Sequence, residues 1–509
     1  MLKKWMCFLL ACLLCVTAVG AFGEEQTENT ENIEITSDVM VLAGLDDTQY
    51  RDWNSHVFFD HMYDKTGVRF EAKQYENAKA WNAMKATYTA ESDLPDVFFK
   101  AMLTAEESIR LLNDGVIVDL KPYLQEYCPN LWAILEENPE YLQKITLPDG
   151  RIPALPYIND IPTQNVMWIN SAFLEEVGMK APTTADELVK VLEAFRDKDP
   201  NKTGTKDEIP LSFLGSFDLK FLAHAFGMIA NDYNIFAEDG TVRFMPLEEN
   251  YRLFVTWCRD LYEAGLLDHD GFVTTDALRR VTDEKAKNQY CILLSPSVGN
   301  LVPASWARDY EVLMPLTYNG TQIYRDFVGE VTGGTFAVTT KCKDIAAALK
   351  WVDYLYTEEG SVLTSVGREN EDYVLDSDGT WRLTDSAANN TYFTVSRIIT
   401  SGQYCPGISV HDFQSRYVET ILEKVTGELR AFSEACVSPF PAYMLTQEQK
   451  DFISPLQNRI GYYVDEQLAR WVLGEDEISD ASFAEFETTL KEMGLESFMT
   501  FWQDVLNNL

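Results

Sequence analysis

The chain has 509 residues, of which 80 are acidic and 42 basic, and its formal net charge at pH 7 is −38. So negative a charge repels polyanions, which excludes nucleic acid as an expected partner. Because the acidic residues are spread along the chain, the charge does not by itself identify a ligand. The length and an apolar fraction of 46% suit two or three domains with sizeable hydrophobic cores.

The first residues are typical of a secretory signal peptide. Two lysines precede an apolar run that is short for a bilayer span, and small residues follow it. We therefore predict a signal peptide over residues 1–23 and an acidic tether over 24–32. The mature protein is expected to be secreted, at the extracellular face of the membrane or in the periplasm. Cys12 leaves a lipid anchor open, although the apolar run continues past it to Val19.

Strand-like and helix-like segments alternate in the first part of the chain. An extended run ends at Gly44, a helical face follows from Trp53, and extended residues return at 69–72. A second helical face then precedes the buried strand-like run 94–99. Such alternation predicts a largely parallel sheet covered by helices on both faces.

Proline punctuates the next part of the chain. A turn over 148–157 leads into a strand over 164–170, where we place the crossing to a second lobe. Thr184 and Glu187 have the spacing of a capping box before an amphipathic helix. Farther on, strands are predicted near 290–294, 310–314 and 334–338, and after Gly402 the chain is largely helical. The predicted fold class is therefore α/β, with a helical C-terminal region.

Oxygen-bearing side chains recur at alternate positions around Gly204, with the spacing of a truncated EF-hand loop. Pro210 stands where the usual bidentate glutamate would be, so Asp207 and Glu208 would have to complete the coordination. The loop would hold a structural Ca²⁺ ion through Asp199, Asn201, Thr203, the backbone carbonyl of Thr205, Asp207 and Glu208. On the pattern alone, a solvated turn with a glycine exit is an equally good interpretation.

Several short motifs occur in an order that resembles family 1 of the extracellular solute-binding proteins of ABC importers. These motifs are Leu94-Pro95-Asp96-Val97, Asp114-Gly115, Asp149-Gly150-Arg151, Leu261-Tyr262 and Phe336-Ala337-Val338. The calcium loop also resembles that of the alginate-oligosaccharide-binding members, with Thr203 in place of an asparagine. This resemblance favours calcium over a bare turn.

The resemblance implies a two-lobed periplasmic-binding-protein-like fold (type II), in which each lobe is a mixed, mainly parallel sheet flanked by helices. Lobe 1 would comprise residues 33–160 plus 330–400, and lobe 2 residues 161–329 plus 401–509. A monomer of this kind would close around an oligosaccharide and deliver it to the transmembrane subunits of an ABC permease. It would be a binding protein and not an enzyme.

A sugar-binding cleft combines aromatic faces with amides and carboxylates, because sugar rings present both C–H faces and hydroxyl rims. The residues that stand where the lobes should face each other are Asp46, Asp47, Trp53, Lys100, Tyr157, Asn159, Trp168 and Trp306. For each aromatic, packing in a core is the competing interpretation. Lys100 could pair with a uronate or be an ordinary surface lysine.

Two other functions stay open at this stage. A secreted glycoside hydrolase or polysaccharide lyase would share secretion, aromatic content and calcium, but no pair of carboxylates can be singled out as catalytic. No Gly-x-Ser-x-Gly motif occurs either. A peptide-binding or adhesion protein of the cell surface is the third possibility.

Overall fold

A computed structural model describes residues 39–45, 52–159, 165–273, 288–298, 301–325, 331–390, 399, 405–409, 413, 415–417 and 422–509. The predicted signal peptide and tether lie outside these residues, so both stay predictions. Within the described ranges, no helix is long and apolar enough to cross a bilayer.

The strands are mostly short. In chain order they are β1 (Met40–Leu45), β2 (Phe70–Tyr75), β3 (Val97–Phe99), β4 (Leu155–Asn159), β5 (Val166–Asn170), β6 (Ile209–Ser212), β7 (Ile235–Glu238), β8 (Thr241–Phe244), β9 (Tyr290–Ser295), β10 (Tyr310–Leu313), β11 (Thr317–Tyr318), β12 (Thr321–Gln322), β13 (Tyr324–Arg325), β14 (Val331–Val338), β15 (Tyr373–Leu375), β16 (Trp381–Leu383), β17 (Gly407–Ser409) and β18 (Cys436–Val437).

Helices alternate with these strands and dominate the end of the chain. They are α1 (Val57–Thr66), α2 (Ala78–Thr87), α3 (Ala105–Asn113), α4 (Lys121–Tyr127), α5 (Pro129–Glu137), α6 (Pro139–Ile145), α7 (Ser171–Val177), α8 (Ala185–Lys198), α9 (Gly215–Phe221), α10 (Glu249–Glu263), α11 (Ala304–Ala307), α12 (Ile345–Asp353), α13 (Glu358–Ser365), α14 (Asp385–Ala388), α15 (Leu422–Ser433), α16 (Gln447–Leu473), α17 (Asp480–Glu492) and α18 (Leu495–Asn507).

The first sheet has six strands in the order β17-β4-β14-β3-β1-β2. β1 pairs in parallel with both β2 and β3, whereas β14 runs antiparallel to β3 and β4. Its residues alternate between two cores: Phe99 faces one, and Phe98 faces the other. Because both faces are covered, the central strands β1 and β3 are apolar and almost entirely buried, whereas the edge strand β2 carries Glu71 and Lys73.

The second sheet has four strands in the order β10-β5-β9-β6. β6 and β9 are parallel, but β5 runs antiparallel to both of its neighbours. Here too the side chains alternate, since Met167 lies in one core and Trp168 in another. The predicted α/β class is confirmed, with the difference that parallel pairing prevails only in the first sheet.

The sheet pairings bring several strand ends together. β3 and β4 are both antiparallel to β14, so the carboxyl ends of β1, β3 and β4 share one edge of the first sheet. In the second sheet, the carboxyl ends of β6, β9 and β10 lie at the amino end of β5. We call these two borders the carboxyl edges. β4 and β17 end and β14 begins at the first border, and β5 begins at the second.

Two local predictions need correction. β17 pairs in parallel with β4, so Gly407–Ser409 belong to the first sheet and not with the residues predicted for lobe 2. The lobe boundaries otherwise stay a prediction. At the start of α8, Thr184 accepts a hydrogen bond from the Glu187 backbone N–H, but the Glu187 carboxylate accepts from Thr183 and not from Thr184. The capping box is therefore incomplete.

Candidate functional site

The carboxyl edges are where a ligand site is expected, because loops at the carboxyl ends of strands leave a crevice beyond the sheet. The residue after β3 is Lys100, which has a left-handed backbone (φ 50°) and a fully buried side chain. Its Nζ donates a hydrogen bond to the carbonyl of Ile399 at 3.2 Å. Lys100 is thus held inside the edge and is not a surface lysine.

The segment after Lys100 is fixed to the start of β14. The N–H groups of Ala101 and Leu103 donate to the carbonyls of Thr335 and Gly334, each at 2.9 Å. Gly334 has a φ of 77°, and a Cβ there would lie 2.1 Å from the Leu103 carbonyl oxygen. Glycine is required at this close approach, and the edge is rigid as a result.

The end of β1 is packed equally closely. A Cβ on Gly44 would lie 1.6 Å from the carbonyl oxygen of Phe99. Trp53 covers this contact, is 2% exposed and meets Phe99 edge-on at 5.6 Å. Asp46 and Asp47 lie outside the described residues.

The other aromatic and amide candidates have different surroundings. Tyr157 and Asn159 are half-buried in β4, next to its carboxyl end. Trp168 is buried in a core, and its Nε1–H donates to the Ser295 carbonyl at 2.8 Å. Trp306 is half-buried against the same core. A ligand contact for any of the eight predicted residues stays a prediction, and for Trp53 and Trp168 the observed surroundings are those of core residues.

Sequence reasoning missed a polar cluster at the edge of the second sheet. The Asp218 carboxylate is buried; it accepts from the side-chain amide of Asn165 and from the Leu214 N–H at 2.7 Å. The Tyr324 hydroxyl donates to the Asn165 carbonyl at 2.6 Å. Asn165 directly precedes β5, so these contacts fix the position at which β5 begins in the second sheet. Residues from three distant segments form the cluster, and no local sequence pattern marks it.

A cavity of about 430 Å³ lies beside the edge of the first sheet. It is lined by Leu103 and Gly334, by two tyrosines and by two lysines. The tyrosines are Tyr233 and Tyr443, and the lysines are Lys144 and Lys450. Apolar surface with a few polar groups is usual for small-molecule sites. This cavity was not predicted, because its walls come from segments more than 300 residues apart in the chain.

The predicted calcium loop joins α8 to β6 and winds around its own acidic side chains. Asp199, which ends α8, accepts hydrogen bonds from the N–H groups of Thr203 at 3.1 Å and Gly204 at 2.9 Å. Gly204 has a φ of 81°, which supplies the sharp bend. The side-chain Oδ1 of Asn201 accepts from the Thr203 N–H at 3.1 Å, and the Thr203 hydroxyl lies 3.0 Å from the Asp207 carboxylate. The predicted side-chain ligands therefore converge.

Within the described part of the chain, Asp199, Asp207 and Glu208 form a group of carboxylates whose oxygens lie within 4.8 Å of one another. Burial raises the pKa of the Glu208 carboxyl, and the charges of the two aspartates raise it further. The Glu208 Oε2 atom is buried and has no hydrogen-bond partner. Hard oxygen donors around an orphaned carboxylate oxygen fit a Ca²⁺ ion, which takes six to eight oxygen ligands.

The loop is also connected to the second sheet. Ile209 follows Glu208 directly, and its N–H donates to the Gln289 carbonyl at 2.8 Å. In return, the Gln289 side chain donates to the Asp207 carbonyl at 2.9 Å. The loop lies at the amino end of β6, at the opposite end of that strand from the carboxyl edge.

Comparison with known proteins gives consistent results. The fructooligosaccharide ABC transporter substrate-binding protein FusA of Streptococcus pneumoniae serotype 4 is 26% identical over 483 residues, covering 89% of this chain and 87% of FusA. The structure of FusA in complex with kestose matches with a TM-score of 0.68 at 24% identity over 92% of this chain and 99% of that one. A second structure is of an EF-hand mutant of FusA in complex with fructo-nystose.

Two further structures share the fold at lower identity. An extracellular solute-binding protein of Bifidobacterium longum subsp. infantis has a TM-score of 0.75 at 18% identity, over 92% of this chain and 98% of that one. The alginate-binding protein AlgQ2, solved without calcium ion, has a TM-score of 0.64 at 20% identity, over 92% and 99%. At these identities the match establishes the fold alone.

The family model for bacterial extracellular solute-binding proteins matches residues 63–362, which is more than half of the chain. This confirms the resemblance drawn from the short motifs, and the two-lobed architecture of the matched structures confirms the fold class. The chain therefore belongs to the bacterial extracellular solute-binding protein family.

Proposed function

We propose that this protein is the extracellular substrate-binding component of an ABC importer, which captures an oligosaccharide between two lobes and delivers it to a permease. The observation that carries the proposal is that β4 ends at the carboxyl edge of one sheet and β5 begins at the carboxyl edge of the other, in a chain of this family. FusA, which aligns over most of the chain, is named for fructooligosaccharides. Fructooligosaccharides are therefore the first ligands to test.

The chemistry of the edges supports a sugar ligand. Tyr157 and Asn159 stand half-buried at the end of β4, and two further tyrosines line the cavity beside it. Tyrosine and amide groups suit a ring with apolar C–H faces and a hydroxyl rim. Rigid close approaches at Gly44 and Gly334 fix the edge before a ligand arrives, which lowers the entropic cost of binding.

Binding without turnover is the expected behaviour, since the matched relatives are named as substrate-binding proteins. Isothermal titration calorimetry should compare kestose, alginate oligosaccharides, galacturonan oligosaccharides and a mixed peptide library. Chromatography of the same mixtures after prolonged incubation reports turnover. Saturable binding of an intact glycan supports the proposal. Cleavage would select the hydrolase or lyase, and a response to peptides alone would select the peptide-binding or adhesion protein.

We further propose that the acidic loop holds a structural Ca²⁺ ion through Asp199, Asn201, Thr203, Thr205, Asp207 and Glu208. The orphaned Glu208 oxygen, the convergent side chains and the existence of an EF-hand mutant of FusA support this assignment. Ca²⁺ at about 100 times its Kd would stabilise the folded chain by about 2.7 kcal/mol through mass action. Thermal unfolding with EDTA and then with excess Ca²⁺ tests it, because an unchanged midpoint would contradict a bound ion.

Delivery to a permease and the monomeric state complete the proposal. Light scattering coupled to gel filtration should give the mass of one chain with and without glycan. Uptake of the bound glycan should be lost when the gene is deleted and restored by the wild-type chain. Uptake that persists at full rate after deletion would contradict a transport role.

A further inference from the structure

One large aromatic side chain at the edge of the second sheet is turned to solvent. Phe217 lies in the first turn of α9, only five residues after the end of β6, and its side chain is 44% exposed. One turn later, Phe221 is only 5% exposed and belongs to a core. Burial of a phenyl ring is favourable, so an exposed ring at a strand-end edge is a candidate for contact with a partner molecule.

The Phe217 ring is held in a fixed orientation. It meets the Phe221 ring edge-on, with centroids 5.3 Å apart and an interplanar angle of 79°. The Arg325 guanidinium lies 4.2 Å from the Phe221 centroid and 5.7 Å from that of Phe217. Arg325 is itself bound by the Asp232 carboxylate at 2.6 Å and the Ala230 carbonyl at 3.2 Å. The Phe217 ring is therefore packed against a paired cation and a buried aromatic ring. A ligand that binds it would cost little side-chain conformational entropy.

The position of this ring is the second observation. Its chain neighbour Asp218 binds Asn165, which directly precedes β5, and the Tyr324 hydroxyl binds the carbonyl of the same asparagine. Arg325 is the last residue of β13, from which the chain passes to β14. Phe217 consequently lies close to Asn165, which directly precedes β5, and to Arg325, which ends β13. A molecule held between the carboxyl edges would reach it.

We propose that Phe217 is a stacking platform for one neutral sugar ring of the bound oligosaccharide, an inference that rests on the function proposed above. A phenyl ring offers no hydrogen-bonding group, and its negative face attracts the weakly positive C–H face of a sugar. The neighbouring cation is already paired with Asp232, so a carboxylate held beside the platform would lose hydration without gaining an unpaired cation. Phe217 would therefore favour neutral over uronate units at this position.

Calorimetry on three variants of the full chain tests this role with kestose, and with the alginate and galacturonan oligosaccharides as further probes. Phe217→Ala should weaken binding by about tenfold, while Phe217→Trp, which keeps a flat ring, should bind within about threefold of the wild type. Tyr462→Ala is the matched control, since this ring is 73% exposed on α16, and it should leave the affinity unchanged. The thermal midpoint and its rise with Ca²⁺ should be the same in all three, which separates a binding role from a folding defect.

The outcomes separate this inference from the proposed function. If the wild type binds kestose or another of these glycans and Phe217→Ala binds it equally well, the inference alone is overturned. Equal weakening by Phe217→Ala and Phe217→Trp would also overturn it, because the ring face would not be the determinant. If the wild type binds none of these glycans, the proposed function fails and the platform is rejected with it.

Discussion

The deeply buried His224 offers a quantitative test of the structure. His224 is fully buried, and its Nδ1 lies 2.6 Å from the Phe221 carbonyl while its Nε2 accepts from the Leu316 N–H at 3.0 Å. Because Nε2 is an acceptor, the ring is neutral with its proton on Nδ1. Burial lowers the pKa of His224 from 6.5 to about 4. Protonation in the folded state would break the bond to Leu316.

The size of the effect follows from that shift. Since the folded pKa lies below the unfolded one, the unfolded chain binds more protons between about pH 6.5 and pH 4. The stability that the neutral ring contributes is fully present above pH 6.5 and is lost as the pH falls towards 4. From the two pKa values, the loss is about 2 kcal/mol by pH 5 and about 3 kcal/mol by pH 4.

Urea unfolding of the wild type and of His224→Gln, followed by tryptophan fluorescence from pH 7 to pH 4, measures this loss. The variant should be less stable at pH 7 by about 1–3 kcal/mol, because two buried groups lose their partner. The difference between the two proteins should then shrink as the pH falls, since only the wild type carries the titrating ring. His269→Gln, at an exposed ring stacked on Tyr262, is the control. A constant difference from pH 7 to pH 4 would refute the neutral buried histidine.

Three further predictions concern the loop and the edge. Glu208→Gln should abolish the Ca²⁺-dependent rise of the thermal midpoint and raise the midpoint in EDTA, because it removes a half-buried negative charge that Asp199 and Asp207 repel, whereas the exposed Glu485→Gln should do neither. Gly44→Ala should lower the free energy of unfolding by at least about 3 kcal/mol, since its Cβ would overlap the Phe99 carbonyl. Gly427→Ala, where a Cβ meets no atom within 4 Å, should raise it by up to about 1 kcal/mol. EDTA should change the affinity for kestose less than about threefold, because the loop and the carboxyl edge lie at opposite ends of β6; a larger loss would contradict their separation.

Much of the fold could be predicted because its signals are local. The extended run ending at Gly44 and the strand-like run 94–99 predicted β1 and β3, and an amphipathic helix was predicted where α8 lies. The antiparallel pairing of β5 could not be predicted, since it depends on where the chain enters the second sheet. The pairing of β17 with β4 joins segments about 250 residues apart, and no local pattern records such a contact.

The candidate site was less predictable, and for a related reason. The calcium loop is contiguous, so residue spacing alone placed Asp199, Asp207 and Glu208 together. Tryptophans near the crossing were expected in the cleft, yet Trp168 lies in a core, because composition does not reveal which face of a strand is covered. No periodic pattern in the sequence around Phe217 indicates that its side chain is exposed. One of the groups beside its ring is Arg325, which is more than 100 residues away in sequence.

The loop and the platform are parts of one structural unit. β6 is four residues long, and it begins directly after the acidic loop and ends just before the turn that opens α9. Pairing with β9 holds the strand along its length, and the Gln289 side chain ties the loop to that same neighbour. A Ca²⁺ ion in the loop would offset two of the three negative charges at the amino end of β6, where the like charges would otherwise push the loop apart. The metal would thus secure the strand that positions Phe217 without touching the sugar, which is why we assign it a structural role and expect its loss to lower stability before affinity.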